Sequence, residues 1–344
     1  MLWVLATVVG IAVIMISMAC LCLHTAFGVR CDGNPELRYF THKDFMNLEA
    51  EPISFLSDKG QRLWGAVYTY QSVEQLWGLV IFSHGMGGGH LSYTTEIHTL
   101  AKAGFAVLAY DNTGTMASDG KSLESFYQAV KDLRSAIAFA RKDAKLSKYK
   151  IVLAGHSWGG YAVCQVLAFE EAYVAGAVTF SPPNSGPDVI CKSIRQTIGI
   201  PIVWLRPALG VVSVIKGGWN SRYKSSSVLL RTRQVPVLIL QGDADTIVPL
   251  SNSPLSDPAI TRKNNITSIL YKGRAHNVYQ TIEAEQYLSE VFGAIAVAQK
   301  RYGKGGLPLE ERTRLYNIDY ELITREDPMV MKTVVDFIRK CVEQ

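Results

Sequence analysis

The pentapeptide Gly-His-Ser-Trp-Gly at residues 155–159 constrains the fold of this 344-residue chain more than any other stretch. An apolar run at residues 151–154 precedes it and predicts a buried strand, while residues 161–163 begin an apolar helix. Glycines on both sides of the serine suit a sharp strand-to-helix turn, because side chains there would collide with neighbouring backbone. Such a turn lifts a serine hydroxyl above the end of a sheet. We therefore predict Ser157 as a nucleophile, against the alternative of an ordinary turn serine.

Short apolar runs alternate with helical patterns through most of the chain. Strands are predicted at residues 52–55, 63–70, 78–82, 106–110, 151–154, 174–180, 236–240 and 266–271. Helices are predicted at residues 94–103, 123–142, 161–169, 281–301 and 329–342. The first two strands read as an antiparallel pair. The later alternation predicts an α/β fold, with a mostly parallel central sheet flanked by helices.

The alternation stops between residues 180 and 235, and residues 183–233 are predicted to form a helical cap over the carboxyl edge of the sheet. This insertion carries eight Lys or Arg residues against one acid, Asp188. Two interpretations stay open. The positive charge could attract anionic head groups at a membrane surface, or it could be a solvated basic face.

Residues 2–29 contain no Asp, Glu, Lys or Arg, and about 20 apolar residues suffice for a helix to cross a bilayer. We predict residues 1–29 as a single transmembrane anchor, with a cleaved signal peptide or a lipoprotein signal as alternatives. Residues 30–49 are predicted as a linker and residues 50–344 as the main domain. Basic residues follow the span, which favours a cytosolic body by the positive-inside rule. A secreted or surface-anchored body stays open.

The net charge and the cysteine content indicate which kinds of partner and cofactor the sequence implies. The net charge is only +5 and is spread through the chain, so nucleic acid is not implied. The six cysteines lack both metal-ligand spacing and the density of a disulfide scaffold. The sequence therefore implies no metal and no cofactor, and it leaves the oligomeric state open.

A serine nucleophile needs a base to accept its proton, usually a histidine held by a carboxylate. Two later strands end in such groups. The strand at residues 236–240 runs into an acidic turn with Asp243 and Asp245, and the strand at residues 266–271 runs into a loop with His276. Both lie at strand ends, where Ser157 is also expected.

These motifs resemble the α/β-hydrolase superfamily, and more narrowly its capped serine aminopeptidase-like and monoacylglycerol-lipase-like branch. The resemblance covers roughly residues 50–344. The branch's Gly-x-x-Asp-x-x-Val-Pro turn falls on residues 242–249, which favours Asp245 over Asp243 as the acid. Its Gly-x-x-His loop falls on residues 273–276, which implies His276 as the base. The chain order Ser, Asp, His is that of the superfamily.

The oxyanion hole is expected from two backbone N–H groups. Trp158, the residue after the nucleophile, supplies one, and by resemblance Met86 in a His-Gly-x-Gly turn supplies the other. The glycines beside Met86 lack the spacing of a nucleotide-binding loop. The chain departs from the family pattern in one turn. After the strand at residues 106–110 the family often has Asp-x-x-Gly-x-Gly-x-Ser, and here Met116 replaces the second glycine. Asp111, the first residue of this turn, is predicted to have a structural role.

The resemblance and the anchor together imply a membrane-tethered serine hydrolase that cleaves carboxylic esters through an acyl-enzyme. An acylglycerol, a lysolipid or another acyl ester is the expected small-molecule substrate, and the apolar cap favours an acyl chain. A serine aminopeptidase and a thioesterase would use the same three catalytic residues, Ser157, Asp245 and His276, and remain alternatives. A non-catalytic binding protein on the same scaffold is a third.

Overall fold

The computed structural model describes residues 1–199, 202–219, 225–303 and 305–344. An eight-stranded sheet forms the centre, with strands β1 Leu48–Leu56, β2 Arg62–Tyr70, β3 Gly78–Ser83, β4 Phe105–Tyr110, β5 Ile151–His156, β6 Val174–Phe180, β7 Val237–Gly242 and β8 Ile266–Tyr271. The strand order is β1-β2-β4-β3-β5-β6-β7-β8. Strand β2 pairs antiparallel with β1 and β4, and the other strand pairs are parallel. The predicted mostly parallel α/β sheet is confirmed.

The described helices are α1 Leu2–Phe27, α2 Thr94–Lys102, α3 Gln128–Lys142, α4 Trp158–Glu170, α5 Gly186–Ile198, α6 Arg206–Gly217, α7 Ser226–Leu230, α8 Pro258–Thr261, α9 Ile282–Tyr302, α10 Leu309–Leu315, α11 Tyr320–Ile323 and α12 Pro328–Glu343. Helix α3 starts five residues later than predicted. The reason is Glu124, whose φ of 61° is left-handed and cannot continue a helix. Its carboxylate accepts a hydrogen bond from Gln61 Nε2 at 2.9 Å, which holds this turn against the sheet.

Alternate residues of each central strand face two different helical layers. In β3, Leu79 and Ile81 belong to the core that contains α3 and α4. Val80 and Phe82 belong to the core that contains α2 and α12. Because successive side chains of a strand point to opposite faces, strands that are apolar throughout require helices on both sides. Between these layers, the carboxyl end of the buried strand β5 lies next to Ser157.

Helix α1 contacts the rest of the protein through its last three turns. Ala19, Leu23 and Phe27 are buried at four-residue spacing and pack toward α5 and α6, whereas most of the preceding residues are exposed. At 1.5 Å per residue its 26 residues extend about 39 Å, enough to cross a bilayer. A signal sequence would meet the same criterion. The structure therefore contains the apolar helix that the sequence predicted.

Residues 30–49, predicted as a linker, run along the body of the protein. The Arg30 guanidinium donates to the carbonyl oxygens of Met116, Ser118 and Gly120 at 2.8, 3.0 and 2.6 Å. Met116 stands where the related turns have glycine, and its φ of 43° is indeed left-handed. The turn therefore keeps its left-handed residue, and Arg30 binds the carbonyl there.

The insertion at residues 183–233 contains helices α5, α6 and α7. Several of its basic side chains have acidic partners nearby, in the pairs Arg206–Asp188, Arg231–Asp257 and Arg233–Glu171 at 2.8, 2.6 and 3.3 Å. Two more of the eight, Arg222 and Lys224, lie outside the described residues. The observed pairing reduces the positive charge that this region presents to solvent.

Candidate active site

Ser157 occupies the strained turn between β5 and α4. Its φ of 52° and ψ of −114° lie outside the regions that L-residues favour. A Cβ at Gly159 would lie 1.9 Å from the carbonyl oxygen of Ser83, and one at Gly155 would lie 2.6 Å from backbone of Gly159. Only glycine fits at either position, because the turn presses against β3 and against itself. The Ser157 N–H donates to the carbonyl of Phe180 at 2.8 Å, which fixes the turn to β6.

Asp245 and His276 meet at the same edge of the sheet, with 2.7 Å between Asp245 Oδ2 and His276 Nδ1. The Asp245 side chain is fully buried. Its Oδ1 accepts the N–H groups of Ile247 and Val248, each at 2.8 Å, and Gln241 Nε2 donates to Oδ2 at 3.1 Å. A carboxylate with this many donors is oriented toward the imidazole and compensated for its burial.

The neighbouring acid, Asp243, has a different position. It is exposed, and its Oδ1 accepts the Gly273 N–H at 2.6 Å, which ties the acidic turn to the histidine loop. The two loops approach closely at Gly242, where a Cβ would lie 2.1 Å from the Arg274 carbonyl oxygen. The geometry therefore separates the two acids: one contacts His276 and the other braces the loops.

The backbone of His276 is held from two sides. Its carbonyl oxygen accepts Ser181 Oγ at 2.7 Å and lies 3.2 Å from His156 Nε2. One residue earlier, the Ala275 N–H donates to Glu285 Oε2 at 3.0 Å, and Glu285 also pairs with the buried Arg274 at 3.2 Å. These contacts fix the position and orientation of the His276 imidazole at the end of the sheet.

A chain of hydrogen bonds connects the glycine turn after β3 with the histidine loop. The Gly85 N–H donates to the Tyr93 hydroxyl at 3.0 Å, and that hydroxyl lies 2.8 Å from His156 Nδ1. The pattern assigns the Tyr93 proton to His156 Nδ1 and the imidazole proton to Nε2, which donates to His276. Burial lowers the pKa of His156 well below its usual value, and the nearby His276 lowers it further. His156 therefore stays neutral and keeps this pattern.

The glycine turn holds Met86 at residues 85–89. His84 is buried and binds the turn through Nδ1 and the Gly85 carbonyl at 2.6 Å, while its Nε2 accepts the Asn112 N–H at 2.9 Å. Gly87 has a φ of 144°, which a residue with a side chain rarely adopts. His84 therefore supports the turn and does not face the reacting groups.

Met86, Ser157, Trp158 and His276 all line one cavity of about 620 Å³. This volume lies within the range of about 300–1,000 Å³ that is typical of small-molecule sites. The structure thus brings the predicted nucleophile, base and both predicted oxyanion residues to one space, with Asp245 buried behind His276.

Several residues that support this arrangement could not be identified from the sequence. Gln241, Ser181 and Glu285 contact the acid or the histidine loop, and Tyr93 connects to them through His156. His156 alone carried a signal, since it precedes the serine in the turn motif. The others come from separate elements, and no local pattern marks them.

A mostly parallel sheet with a strained serine turn after its fifth strand, an acid after its seventh and a histidine after its eighth is the arrangement of α/β serine hydrolases. The comparisons with known sequences agree. The family model of serine aminopeptidase, S33, matches residues 74–229, which include Met86 and Ser157 and end before Asp245. The uncharacterized protein YfhR of Salmonella typhi is 23% identical over 207 residues, 60% of this chain and 68% of its own. A non-heme haloperoxidase of Rhodococcus erythropolis is 25% identical over 258 residues, 63% of this chain and 91% of its own.

Solved structures establish the same fold. The Pyrococcus furiosus esterase Pf2001 aligns with a TM-score of 0.56 at 18% identity, covering 79% of this chain and 98% of the esterase. Est1E of Butyrivibrio proteoclasticus, solved with ferulic acid bound, aligns with a TM-score of 0.55 at 18% identity, covering 85% of this chain and 100% of Est1E. The chain therefore has the α/β-hydrolase fold, and it is similar to serine hydrolases and esterases of that fold.

Proposed function

We propose that this protein is a membrane-tethered hydrolase of carboxylic esters that acts through an acyl-enzyme on Ser157. The observation that carries the proposal is the 2.7 Å contact between His276 and the buried Asp245, at a cavity that Ser157 also lines. A serine hydroxyl becomes a nucleophile when a neighbouring imidazole accepts its proton, and a buried carboxylate orients that imidazole.

In the first half-reaction, Ser157 Oγ attacks the ester carbonyl carbon while His276 Nε2 takes the hydroxyl proton. Asp245 accepts the hydrogen bond from His276 Nδ1–H and stabilises the imidazolium that forms. The N–H groups of Met86 and Trp158 receive the negative charge on the carbonyl oxygen. When the tetrahedral intermediate collapses, the C–O bond to the alcohol breaks, and His276 returns the proton to the leaving oxygen.

In the second half-reaction, water repeats the attack on the acyl-enzyme. His276 takes one water proton as the oxygen bonds to the acyl carbon. The bond to Ser157 Oγ then breaks, and Oγ recovers its proton from His276. The products are an alcohol and a carboxylic acid, and the enzyme returns to its starting state.

The composition of the cavity favours an ester over a peptide amino terminus. An aminopeptidase must bind an ammonium group, for which a carboxylate is the usual partner. Among the described residues that line the cavity there is no Asp or Glu, and many are aliphatic or aromatic. A thioester presents the same kind of acyl carbon to the nucleophile as an ester does. Thioesterase activity therefore stays an alternative, which a comparison of ester and thioester turnover decides.

Helix α1 supports the tethering part of the proposal. Its exposed upper turns present Leu, Val and Ile side chains to the surroundings, which favours a lipid environment over water. Its lower end lies close to the site, because Phe27 packs edge-on against Phe126 at 5.9 Å and Phe126 lines the cavity. A bilayer around α1 would therefore bring lipid esters near the cavity.

The test is turnover of matched substrates by the full-length protein in detergent micelles or nanodiscs. We expect hydrolysis of p-nitrophenyl esters and of monoacylglycerols, and little release of p-nitroaniline from aminoacyl p-nitroanilides. An acyl thioester of equal chain length measures the thioesterase alternative. Faster turnover of the anilides than of every ester would contradict the proposal, and the absence of both turnover and labelling of Ser157 by a fluorophosphonate would favour a binding protein.

A second experiment tests the hydrogen-bond chain through the Tyr93 hydroxyl. Tyr93→Phe leaves the Gly85 N–H and His156 Nδ1 without their shared partner, a loss of about 1–3 kcal/mol for buried groups. We expect kcat/KM for p-nitrophenyl esters to fall about tenfold or more, since both the oxyanion turn and the His276 carbonyl lose support.

The matched control is Tyr68→Phe. The Tyr68 hydroxyl also binds a buried histidine, His90 Nε2 at 3.0 Å, but it does not line the cavity. It is expected to lower the melting temperature by a similar amount and to leave kcat/KM near the parent value. Equal kinetic effects of the two variants would show that the Tyr93 hydroxyl acts on stability alone.

A further inference from the structure

The segment that follows helix α1 forms part of the cavity wall. Six of its residues line the cavity: Gly33, Asn34, Leu37, Arg38, Tyr39 and Phe40. We call residues 33–40 the wall segment. The described cap residues contribute far less, namely Pro183 and Val189. Among the described residues, most of the apolar side chains that line the cavity therefore lie outside the cap.

Contacts with helices α10 and α11 hold the wall segment in place. Asn34 Nδ2 donates to the Tyr316 hydroxyl at 3.2 Å, and the Arg38 N–H donates to the Tyr320 hydroxyl at 3.0 Å. Arg312 Nε also donates to Glu36 Oε2 at 2.7 Å. Because backbone and side-chain groups both take part, the wall segment is fixed along its length.

The wall segment also touches the predicted oxyanion turn. The Tyr39 hydroxyl accepts the Asn34 N–H at 3.0 Å, which positions the ring beside Gly88. A Cβ at Gly88 would lie 2.7 Å from Tyr39 Cε1, so the ring occupies the space that a side chain would need. The wall segment therefore reaches from α11 to the turn that carries Met86.

Apolar side chains of α9 and α11 continue this wall. Leu288 and Phe292 are four residues apart on α9, and Ile323 ends α11. All three line the cavity together with Leu37 of the wall segment. Side chains four residues apart lie on the same face of a helix, so Leu288 and Phe292 border the cavity from one face of α9.

We propose that this wall, formed by the wall segment, α9 and α11, binds the acyl chain of the substrate and sets its preferred length. The inference rests on the proposed ester hydrolase function and names its specificity site. Leu37 and Leu288 limit the space for the chain, whereas the described cap residues Pro183 and Val189 do not. The residues just after the anchor are thereby part of the substrate site.

The experiment compares tryptophan substitutions on the two sides of the cavity in the full-length protein. Leu288→Trp and Leu37→Trp add bulk to the wall, and Val189→Trp adds bulk on the cap side. The measured quantity is kcat/KM for p-nitrophenyl esters from acetate to palmitate. We expect each wall variant to lose about tenfold or more on long esters relative to acetate. Val189→Trp is expected to change all lengths by the same factor.

Two further measurements keep the outcome decisive. Leu288→Ala removes bulk and is expected to move the optimum toward longer chains. Labelling of Ser157 by a small fluorophosphonate reports a folded site in each variant. A length profile that changes with Val189→Trp, or that changes with none of the variants, would overturn the inference. If the parent labels with the probe but hydrolyses no ester, the proposed function itself fails.

Discussion

The Ser157→Ala protein is expected to lose hydrolysis of p-nitrophenyl esters by about 10⁶-fold in kcat, the size of loss that follows removal of a triad nucleophile. Without Oγ no acyl-enzyme forms, and any remaining rate comes from direct attack of water beside the oxyanion donors. The substitution removes one atom from a half-buried position, so the fold should persist. The measurement is kcat and KM of the purified full-length variant, with its thermal melting curve.

Ser92→Ala is the matched control, because Ser92 also lines the cavity but lies outside the turn between β5 and α4. Its turnover should stay near the parent value. A fluorophosphonate should modify the parent at Ser157 and leave the Ser157→Ala protein unmodified, as read by intact mass. If Ser157→Ala retains parental turnover while Ser92→Ala loses it, the nucleophile has been assigned to the wrong serine.

Asp245→Asn is expected to lower kcat about 10⁴-fold with little change in structure, as for the corresponding change in a serine protease triad. The two backbone N–H groups that bind Oδ1 will retain the amide oxygen there. The amide NH₂ then faces His276 Nδ1 and donates to it. The imidazole proton moves to Nε2, which can no longer accept the proton of Ser157.

Asp243→Asn tests the neighbouring acid under matched conditions. Asp243 is exposed and accepts one backbone N–H from Gly273, which an amide oxygen can also accept. Its kcat is expected to stay close to the parent value. The reverse ranking of the two variants would transfer the role of the acid to Asp243 and would contradict the 2.7 Å contact as the functional one.

Much of the fold could be predicted from local sequence. Strands β6 and β8 have the predicted limits, because buried parallel strands are short apolar runs between turn residues. The start of α3 could not be predicted, since the apolar spacing continues through residues that a left-handed Glu124 keeps out of the helix. That conformation depends on partners in the β1–β2 turn, far away in sequence.

The candidate site also contains residues that local sequence predicts and residues that it does not. Ser157, Asp245 and His276 stand in local motifs, because each needs a particular turn at the end of a strand. Tyr93 and the wall segment carry no such pattern. The wall segment lies within residues 30–49, which the sequence predicted to be a linker. Their positions depend on contacts between elements up to 282 residues apart, such as Asn34 with Tyr316.

The sequence by itself therefore determined the sheet and the serine turn after β5, and it predicted the candidate triad, since backbone sterics and hydrophobic periodicity act over a few residues. Tertiary structure decided which side chains border the cavity. It placed the segment after helix α1 on the same cavity wall as residues of α9 and α11, and it joined Tyr93 to His156. The physical reason is that a cavity wall is formed by packing between distant segments, whose partners are set by shape and by hydrogen bonds and not by neighbours in the chain.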